Sequence, residues 1–388
     1  MTFSPDEHDL PDPFDSAPLR LTVDLAAITD NWREMARRSG RARTAAVVKA
    51  DAYGLGIEDV GAALYFAGAR DFFVALPAEG ATLRAFAPEA RIFVLSGIWP
   101  GMEELFFEND LVPVLASQEQ FAFWMAVLAD YGDYPCALQV DTGFNRLGLS
   151  VEDALMLADD TSRPASFSPV LVMSHLACAD TPTAVMNRTQ LDSFRMVAAA
   201  FEGVEASLAA SAGILLGEDY HFDLTRPGIA LYGGESVNGL PNRMRNVATA
   251  EARILTVHGA RSGETVSYGG TGILNRDSRL AVASIGYADG FHRNLSGSGV
   301  ALRNAGLAGG YGWVAGRKVP IVGRVTMDLT IFDVTDLPEN AVRAGDYIEL
   351  IGPNIALDDA ARAAGTIGYE LLTSLGLRYE RRYVQPTD

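Results

Sequence analysis

Short β-rich runs alternate with helical stretches from Thr44 onward, and this alternation constrains the fold more than any other feature. Helical patterns such as 118–129 and 188–201 fill the gaps between the runs. Eight strand–helix units within about 190 residues predict a (β/α)8 barrel of the TIM type. A doubly wound open sheet is the alternative, because periodicity does not reveal whether a sheet closes. The predicted strands are 44–50, 71–76, 91–96, 112–115, 136–142, 169–174, 205–211 and 222–225.

The pattern changes near Pro241, where short apolar segments separated by glycines replace the strand–helix alternation. This indicates a second, mostly-β domain over 241–388, after a barrel domain over 18–240. An additional strand at 18–25 precedes the first barrel strand and is a candidate member of the second domain. The predicted strands of that domain are 249–257, 279–285, 319–322, 330–334 and 347–351, followed by a helix at 356–364.

Charge and composition exclude several classes of partner. The net charge of −18 argues against nucleic acid or an anionic membrane surface as the main partner. Residues 1–17 carry five carboxylates and no Lys or Arg, which predicts a disordered acidic tail rather than a basic signal peptide. Cys136 and Cys178, the two cysteines, lie in apolar runs and fit a reducing cytoplasm better than a disulfide scaffold. We therefore expect a cytoplasmic protein.

Lys49 closes the apolar run 45–48 and is followed by a loop containing Gly54 and Gly56. Burial of an ammonium group is costly and lowers its pKa, which makes the amine a nucleophile able to form a Schiff base with an aldehyde. The alternative is an ordinary lysine at a strand end whose ammonium reaches water.

Other polar residues follow the later strands of the predicted barrel, at the rim where such barrels place their active sites. Ser211 and the amides after the eighth strand are suitable phosphate donors. A nucleophilic lysine and a phosphate cradle on one rim together indicate pyridoxal phosphate, with no metal site. Taken singly, Ser211 could cap a helix, His175 could be a core histidine, and Arg226 could pair with a surface carboxylate. The rim residues are Lys49, Arg146, His175, Ser211, Arg226, Gly228 and Ile229.

Nine windows between about residues 18 and 384 resemble bacterial alanine racemases. The resemblance implies a pyridoxal-phosphate enzyme with a barrel, a C-terminal β domain, and a homodimer whose active sites are shared between subunits. It is carried by the windows 46–56, 140–148, 174–180, 211–213, 226–233, 266–270, 285–290, 323–329 and 366–370.

The same resemblance assigns roles to individual residues. Lys49 would hold the cofactor and act as one base, and Tyr268 would be the opposing base from the other chain, because racemisation needs a proton donor and acceptor on opposite faces. Arg226 would face the pyridine nitrogen and keep it unprotonated, which disfavours transamination. A tyrosine base needs nearby positive charge, which His175 and Arg226 could help supply to Tyr268 through hydrogen bonding.

The remaining assignments concern the phosphate and the substrate. The resemblance implies that the phosphate is bound by Tyr53, Ser211, Gly228, Ile229 and Tyr369. The substrate carboxylate would meet Arg146 and the amide of Met327, and Tyr287 with Tyr369 would narrow the entrance in favour of a small side chain.

Three positions depart from the family pattern. Gln139 stands where many relatives carry a carbamylated lysine. It can hydrogen-bond Arg146 through its amide oxygen but supplies no negative charge, a role that an anion such as chloride could take. Ala210 replaces an asparagine and puts one polar contact near the phosphate in doubt. Phe144 replaces a methionine.

The leading function is racemisation of alanine to supply D-alanine for peptidoglycan. One alternative is a racemase of serine or another small amino acid, because a pocket discriminates weakly against one added hydroxyl or methylene. Another, of a different class, is a pyridoxal-phosphate homeostasis protein without turnover. Such proteins resemble the barrel alone, so the C-terminal domain with Tyr268 and Met327 argues against it.

Overall fold

The computed structural model describes residues 12–160, 166–300 and 309–385. The predicted acidic tail falls largely on residues 1–11, outside the described part of the chain. Its last residues form a short helix, Pro13–Ser16, in which Asp12 accepts a hydrogen bond from the Phe14 amide and the Phe14 ring is buried. The part of the predicted tail from Asp12 to Ala17 is therefore ordered, and the prediction for the remainder stays a prediction.

The chain divides into two compact units. One spans Ala27–Arg245, and the other contains the described residues up to Ala26 and from Asn246 onward. In the described ranges, no helix is long and apolar enough to cross a membrane.

The first unit is a closed parallel barrel, which confirms the predicted fold class. Seven of the barrel strands form one parallel sheet, in which the short strand Leu149–Ser150 also pairs with the fifth, and the eighth barrel strand pairs with the first at Arg43–Thr44. The amide of Arg226, just after the eighth strand, donates to the carbonyl of Ala209 after the seventh (2.8 Å), so the ring closes and the open-sheet alternative is wrong. The strands are Arg43–Thr44 with Ala46–Val47, Asp71–Val74, Arg91–Val94, Leu111–Leu115, Tyr134–Asp141, Phe167–Met173, Glu205–Ser207 and Leu224–Thr225.

Large apolar side chains are buried on both faces of the barrel strands. Phe72, Phe73 and Phe93 are fully buried, and the rings of Phe73 and Phe93 stack with their centroids 4.7 Å apart. Such rings contribute more apolar burial than any aliphatic residue. The surrounding helices are Leu25–Ser39, Ile57–Ala67, Pro77–Arg84, Glu103–Glu108, Gln118–Tyr131, Val151–Asp159, Val185–Ala200 and Ser211–Leu216.

The second unit is built on a mixed sheet centred on the long strand Ala248–Ala260. The strand Leu19–Asp24 pairs antiparallel with that strand and parallel with Glu380–Val384, so both ends of the described chain enter one sheet. Its other strands are Thr265–Val266, Gly272–Ile273, Ser278–Ala283, Tyr311–Val314, Arg317–Pro320, Thr330–Asp333 and Tyr347–Ile351, and its later helices are Leu357–Ala364 and Gly368–Thr373.

Candidate active site

Lys49 begins a turn whose backbone is left-handed. The first barrel strand ends at Val47, earlier than predicted, because Ala50 to Tyr53 adopt φ between 51° and 59°. Left-handed backbone costs an L-residue roughly 1–2 kcal/mol, and here four consecutive non-glycine residues adopt it. Strain of this kind persists only where surrounding contacts enforce it, and it concentrates at functional sites.

Two tyrosines hold the far end of this turn. The ring of Tyr53 stacks on Tyr232 with the centroids 4.3 Å apart, and the Tyr232 hydroxyl donates to the carbonyl of Val47 (2.9 Å). A Cβ added at Gly228 would lie 2.2 Å from the Tyr53 hydroxyl, so only glycine permits the approach of these two residues. The turn is thereby fixed against the end of the eighth strand.

The environment of Lys49 favours its neutral amine. Burial lowers the pKa of Lys49, and the nearby positive charge of Arg146 lowers it further. The carboxylate of Glu79 acts in the opposite direction. A lysine with a lowered pKa has more free amine available to attack an aldehyde.

Arg226 is a buried guanidinium at the end of the eighth strand. It donates to the carbonyl of Ser174 (2.6 Å) and to the hydroxyl of Ser207, and no carboxylate lies within ion-pair distance of it in the described ranges. Burial lowers the pKa of Arg226 to about 9, so the side chain keeps its charge at neutral pH. A buried cation with neutral partners alone is costly and marks a functional site.

His175 lies close to three cationic side chains. Burial together with the charges of Arg226, Arg146 and Lys49 lowers the pKa of His175 to about 3. The imidazole is therefore neutral at physiological pH and cannot supply the positive charge expected of it. Of the two residues, His175 and Arg226, only Arg226 is positively charged at neutral pH.

Arg146 is positioned by an aromatic ring rather than by Gln139. Its guanidinium carbon lies 4.2 Å from the Phe144 ring centroid, and that ring makes an edge contact with His175. Gln139 donates weakly to the carbonyl of Val140 (3.4 Å), and among the described residues it makes no hydrogen bond to Arg146. Gln139 therefore does not orient Arg146 through a hydrogen bond in the described residues, and Arg146 lies over the Phe144 ring in a cation–π contact.

Ser211 joins the ends of the seventh and eighth strands. Its hydroxyl oxygen accepts from the amides of Gly228 (2.9 Å) and Ala230 (3.3 Å). The amide of Gly228, expected as a phosphate donor, is thus engaged by Ser211. Among the described residues the Ser211 hydroxyl makes no hydrogen bond as a donor, so this side chain can still donate to an anion.

The second unit brings Tyr287 and Met327 together. The Tyr287 amide donates to the carbonyl of Thr326 (3.0 Å), and the Ala288 amide donates to the carbonyl of Met327 (3.0 Å). A Cβ at Gly286 would lie 2.1 Å from the Met327 oxygen, which explains the glycine at that position. The two side chains are half exposed, at 45% and 54%.

Tyr268 is 72% exposed on the short helical turn Tyr268–Gly270. The preceding Ser267 fixes this turn by donating its hydroxyl to the carbonyl of Arg324 (2.9 Å). Tyr369 lies in the first turn of the helix Gly368–Thr373 and is 39% exposed.

Comparison with known proteins identifies the family. The family model described as alanine racemase, N-terminal domain, matches residues 23–236, and the model described as alanine racemase, C-terminal domain, matches residues 247–383. The chain belongs to the alanine racemase family.

Relatives and solved structures of that family cover almost the whole chain. A biosynthetic alanine racemase of Agrobacterium fabrum (strain C58) is 72% identical over 97% of this chain and 96% of its own length. An alanine racemase of Rhizobium meliloti (strain 1021) is 66% identical over 96% of this chain and 98% of its own. The crystal structure of alanine racemase from Bartonella henselae with covalently bound pyridoxal phosphate superimposes with a TM-score of 0.87 at 37% identity, covering 95% of this chain and all of that one.

The barrel rim of this alanine racemase family member fits pyridoxal phosphate. Lys49 supplies an amine of lowered pKa, and Ser211 supplies a hydroxyl donor beside the close approach of Gly228 to Tyr53. Arg226 supplies a buried cation that retains its proton and can only donate.

The sequence analysis did not predict two residues that contact the site, Tyr232 and Glu79. Tyr232 stacks on Tyr53 and lies in the window that carried the family resemblance, so its position was a usable signal. Glu79 contacts the Lys49 turn, but an acidic residue in the first turn of a helix is common and gave no signal.

Proposed function

We propose that this chain is an alanine racemase, an isomerase that interconverts L-alanine and D-alanine with pyridoxal phosphate. The observation that carries the proposal is the meeting of Lys49, Ser211 and Arg226 at one barrel rim in a chain of this family. When bound, the cofactor supplies an aldehyde for the lysine and an electron-withdrawing ring that acidifies the α-carbon.

Two bases on opposite faces perform the proton transfers. Lys49 holds the cofactor and exchanges a proton on one face of the α-carbon, and Tyr268 of the partner subunit exchanges a proton on the other. The 72% exposure of Tyr268 supports this assignment, because a base that serves another chain has to be accessible on its own. The active enzyme is therefore a homodimer with shared sites.

Arg226 and His175 set the electrostatics. Arg226 would hold the cofactor ring as a donor that keeps its own proton, so a ring nitrogen beside it would stay unprotonated, which would favour simple proton return. His175 is neutral, so it acts through hydrogen bonding and packing rather than through charge.

Substrate recognition depends on hydrogen-bond donors for the carboxylate and on tyrosine rings that limit the size of the side chain. Arg146, held over Phe144, and the amide of Met327 bind the substrate carboxylate. Tyr287 and Tyr369 limit the side chain to the size of a methyl group. Tyr53, Ser211, Gly228, Ile229 and Tyr369 would hold the phosphate, and Gly228 would contribute through its close approach to Tyr53 because its amide is engaged by Ser211.

We place the enzyme in the cytoplasm, where it supplies D-alanine for peptidoglycan. The free thiols of Cys136 and Cys178 support a reducing compartment. A serine racemase is not favoured, because the relatives at 72% and 66% identity are both named for alanine. A homeostasis protein confined to a barrel is not favoured either, because the C-terminal domain model matches residues 247–383.

The test uses the two lysines of the chain, Lys49 and Lys318. L-alanine is incubated with purified wild type, K49A or K318A, and both enantiomers are quantified by chiral chromatography. We expect wild type and K318A to reach equal amounts of the two enantiomers, because Lys318 is an exposed residue of the other unit. K49A should lose at least about 100-fold in rate. Wild type that leaves L-alanine unchanged would refute the function, and an active K49A would refute the role of Lys49.

A further inference from the structure

Glu79 binds the ends of the first two barrel strands to each other. One carboxylate oxygen accepts from the amide of Ala50 (2.6 Å), the first residue of the left-handed turn. The other accepts from the amides of Ala75 (2.8 Å) and Leu76 (3.1 Å), which follow the second strand. A single side chain thus spans the two strand ends beside Lys49.

We propose that Glu79 is a positioning residue for Lys49, holding the strained turn that aims the lysine into the barrel mouth. The inference rests on the proposed function, because it gives Lys49 the cofactor. The Ala50 amide adjoins Lys49 in the chain, so its hydrogen bond to Glu79 fixes the peptide plane that follows the lysine.

The three contacts explain why the residue is a carboxylate. All are backbone N–H donors, and an ionised carboxylate is the side chain that only accepts. Gln120 occupies the same third position of its own helix, Gln118–Tyr131, and joins the third and fourth strands. It accepts from the Ala116 amide (2.9 Å) but donates to the Ser96 carbonyl (2.8 Å), so an amide fits there. A glutamine at position 79 would set its NH₂ group against an N–H.

The charge of Glu79 acts on Lys49 as well. The carboxylate raises the pKa of Lys49, whereas burial and Arg146 lower it. Loss of Glu79 should therefore both loosen the turn and lower the lysine pKa, which distinguishes it from a group that only caps a helix.

The experiment compares E79Q and E79A with Q120A, each built on K318R so that Lys49 is the one lysine left. Thermal melts establish that each full-length variant is folded. The affinity for pyridoxal phosphate is then measured by titration, and the rate of Lys49 modification by an amine reagent is followed against pH with peptide mapping. Alanine racemisation is recorded in parallel.

We expect E79Q and E79A to weaken cofactor binding roughly 10- to 100-fold, because hydrogen bonds to a charged partner are lost. The Lys49 pKa should fall in both. Q120A removes an equivalent connection from another strand pair, and its cofactor affinity should stay within about threefold of the parent.

A rescue variant isolates the turn. Glycine adopts positive φ readily, so A50G in the E79Q background should recover about 3- to 10-fold of the lost affinity. This double variant also serves if E79A does not fold, since it relieves the strain that Glu79 is proposed to hold.

Two outcomes would overturn the proposal: E79Q with the parent's cofactor affinity and Lys49 pKa, or Q120A with an equal loss. These are separate from failure of the proposed function. A parent that carries the cofactor on Lys49 but does not racemise alanine would end the proposed function and leave the Glu79 measurements valid. A parent that does not bind the cofactor would end both.

Discussion

At the scale of single residues, backbone conformation and local charge decide what Lys49 and its neighbours can do. Ala50 is an exposed alanine with φ of 54°, where its side chain gains no packing that would offset the strain. A histidine is not unusual in a protein core, but burial and three nearby cations keep the His175 imidazole neutral. Neither property is visible in residue type or spacing.

Glycine at position 50 should stabilise the protein. A50G should raise the free energy of unfolding by about 0.5–1 kcal/mol, because relief of left-handed strain exceeds the added chain entropy. The matched control is A78G, also at an exposed alanine but in the right-handed helix Pro77–Arg84, which should lower the free energy of unfolding by about 1 kcal/mol. Denaturant unfolding measures both, and equal signs for the two variants would contradict the strain assignment.

His175 should make stability depend on pH. Its pKa falls from about 6.5 in the unfolded chain to about 3 in the folded one, so the unfolded state binds more protons between these values. Its contribution is fully present above pH 6.5 and is lost as pH falls towards 3, by about 2 kcal/mol between pH 7.5 and pH 5. H175Q does not titrate and should show that much less acid sensitivity in urea unfolding. Identical pH dependence in both proteins would contradict the buried neutral imidazole.

At the scale of elements, side chains join neighbouring barrel strands in pairs at the rim formed by the C-terminal strand ends. Glu79 connects the ends of strands one and two, Gln120 those of three and four, and Ser211 those of seven and eight. Gln190 does the same for five and six, with its amide bonded to His175, Ala177 and Thr142. Side-chain hydrogen bonds thus repeat around a barrel whose sequence shows no repeat.

The opposite end of the barrel is joined by ion pairs. Asp71 of the second strand pairs with Arg91 (2.6 Å) and Arg43 (3.2 Å), and Glu205 of the seventh strand pairs with the same two arginines. The network joins the seventh strand to the first, second and third strands, on either side of the eighth strand that closes the barrel. Because Asp71 is buried, its charge is screened less than that of a surface pair.

Removal of this buried charge should cost stability. D71N should lower the free energy of unfolding by roughly 1–3 kcal/mol, since two arginines lose one shared partner. D336N breaks the exposed ion pair between Asp336 and Arg276, and should change the free energy of unfolding by less than about 1 kcal/mol. Chemical denaturation at low and high salt checks both. Similar losses for the two variants would show that the network does not depend on burial.

Sequence periodicity predicted the barrel strands well because buried parallel strands are rich in apolar residues. All eight predicted barrel strands overlap strands of the structure, although the seventh ends at Ser207 rather than at position 211. The end of the first strand was misplaced, because the left-handed turn after Val47 is enforced by Glu79 and Tyr232, which are distant in sequence. Rim residues were found through their positions after strands, whereas their protonation states required the neighbours of each group.

At the scale of the whole molecule, a shared site predicts complementation between inactive variants. When K49A and Y268A are denatured together and refolded, half of the dimers are mixed, and each mixed dimer has one intact site. Activity should return to about a quarter of wild type. Each variant refolded alone is the control and should stay inactive. No recovery in the mixture would place both bases in one chain and refute the shared site.

The sheet that joins both ends of the chain has a consequence for synthesis. Leu19, Leu21 and Val23 are buried in a strand that emerges early, but its partners Ala248–Ala260 and Glu380–Val384 emerge much later. At about 5–20 residues per second, the wait for the last partner is tens of seconds. The barrel, contained in Ala27–Arg245, can form within that interval, while an apolar segment at the start of the chain remains exposed.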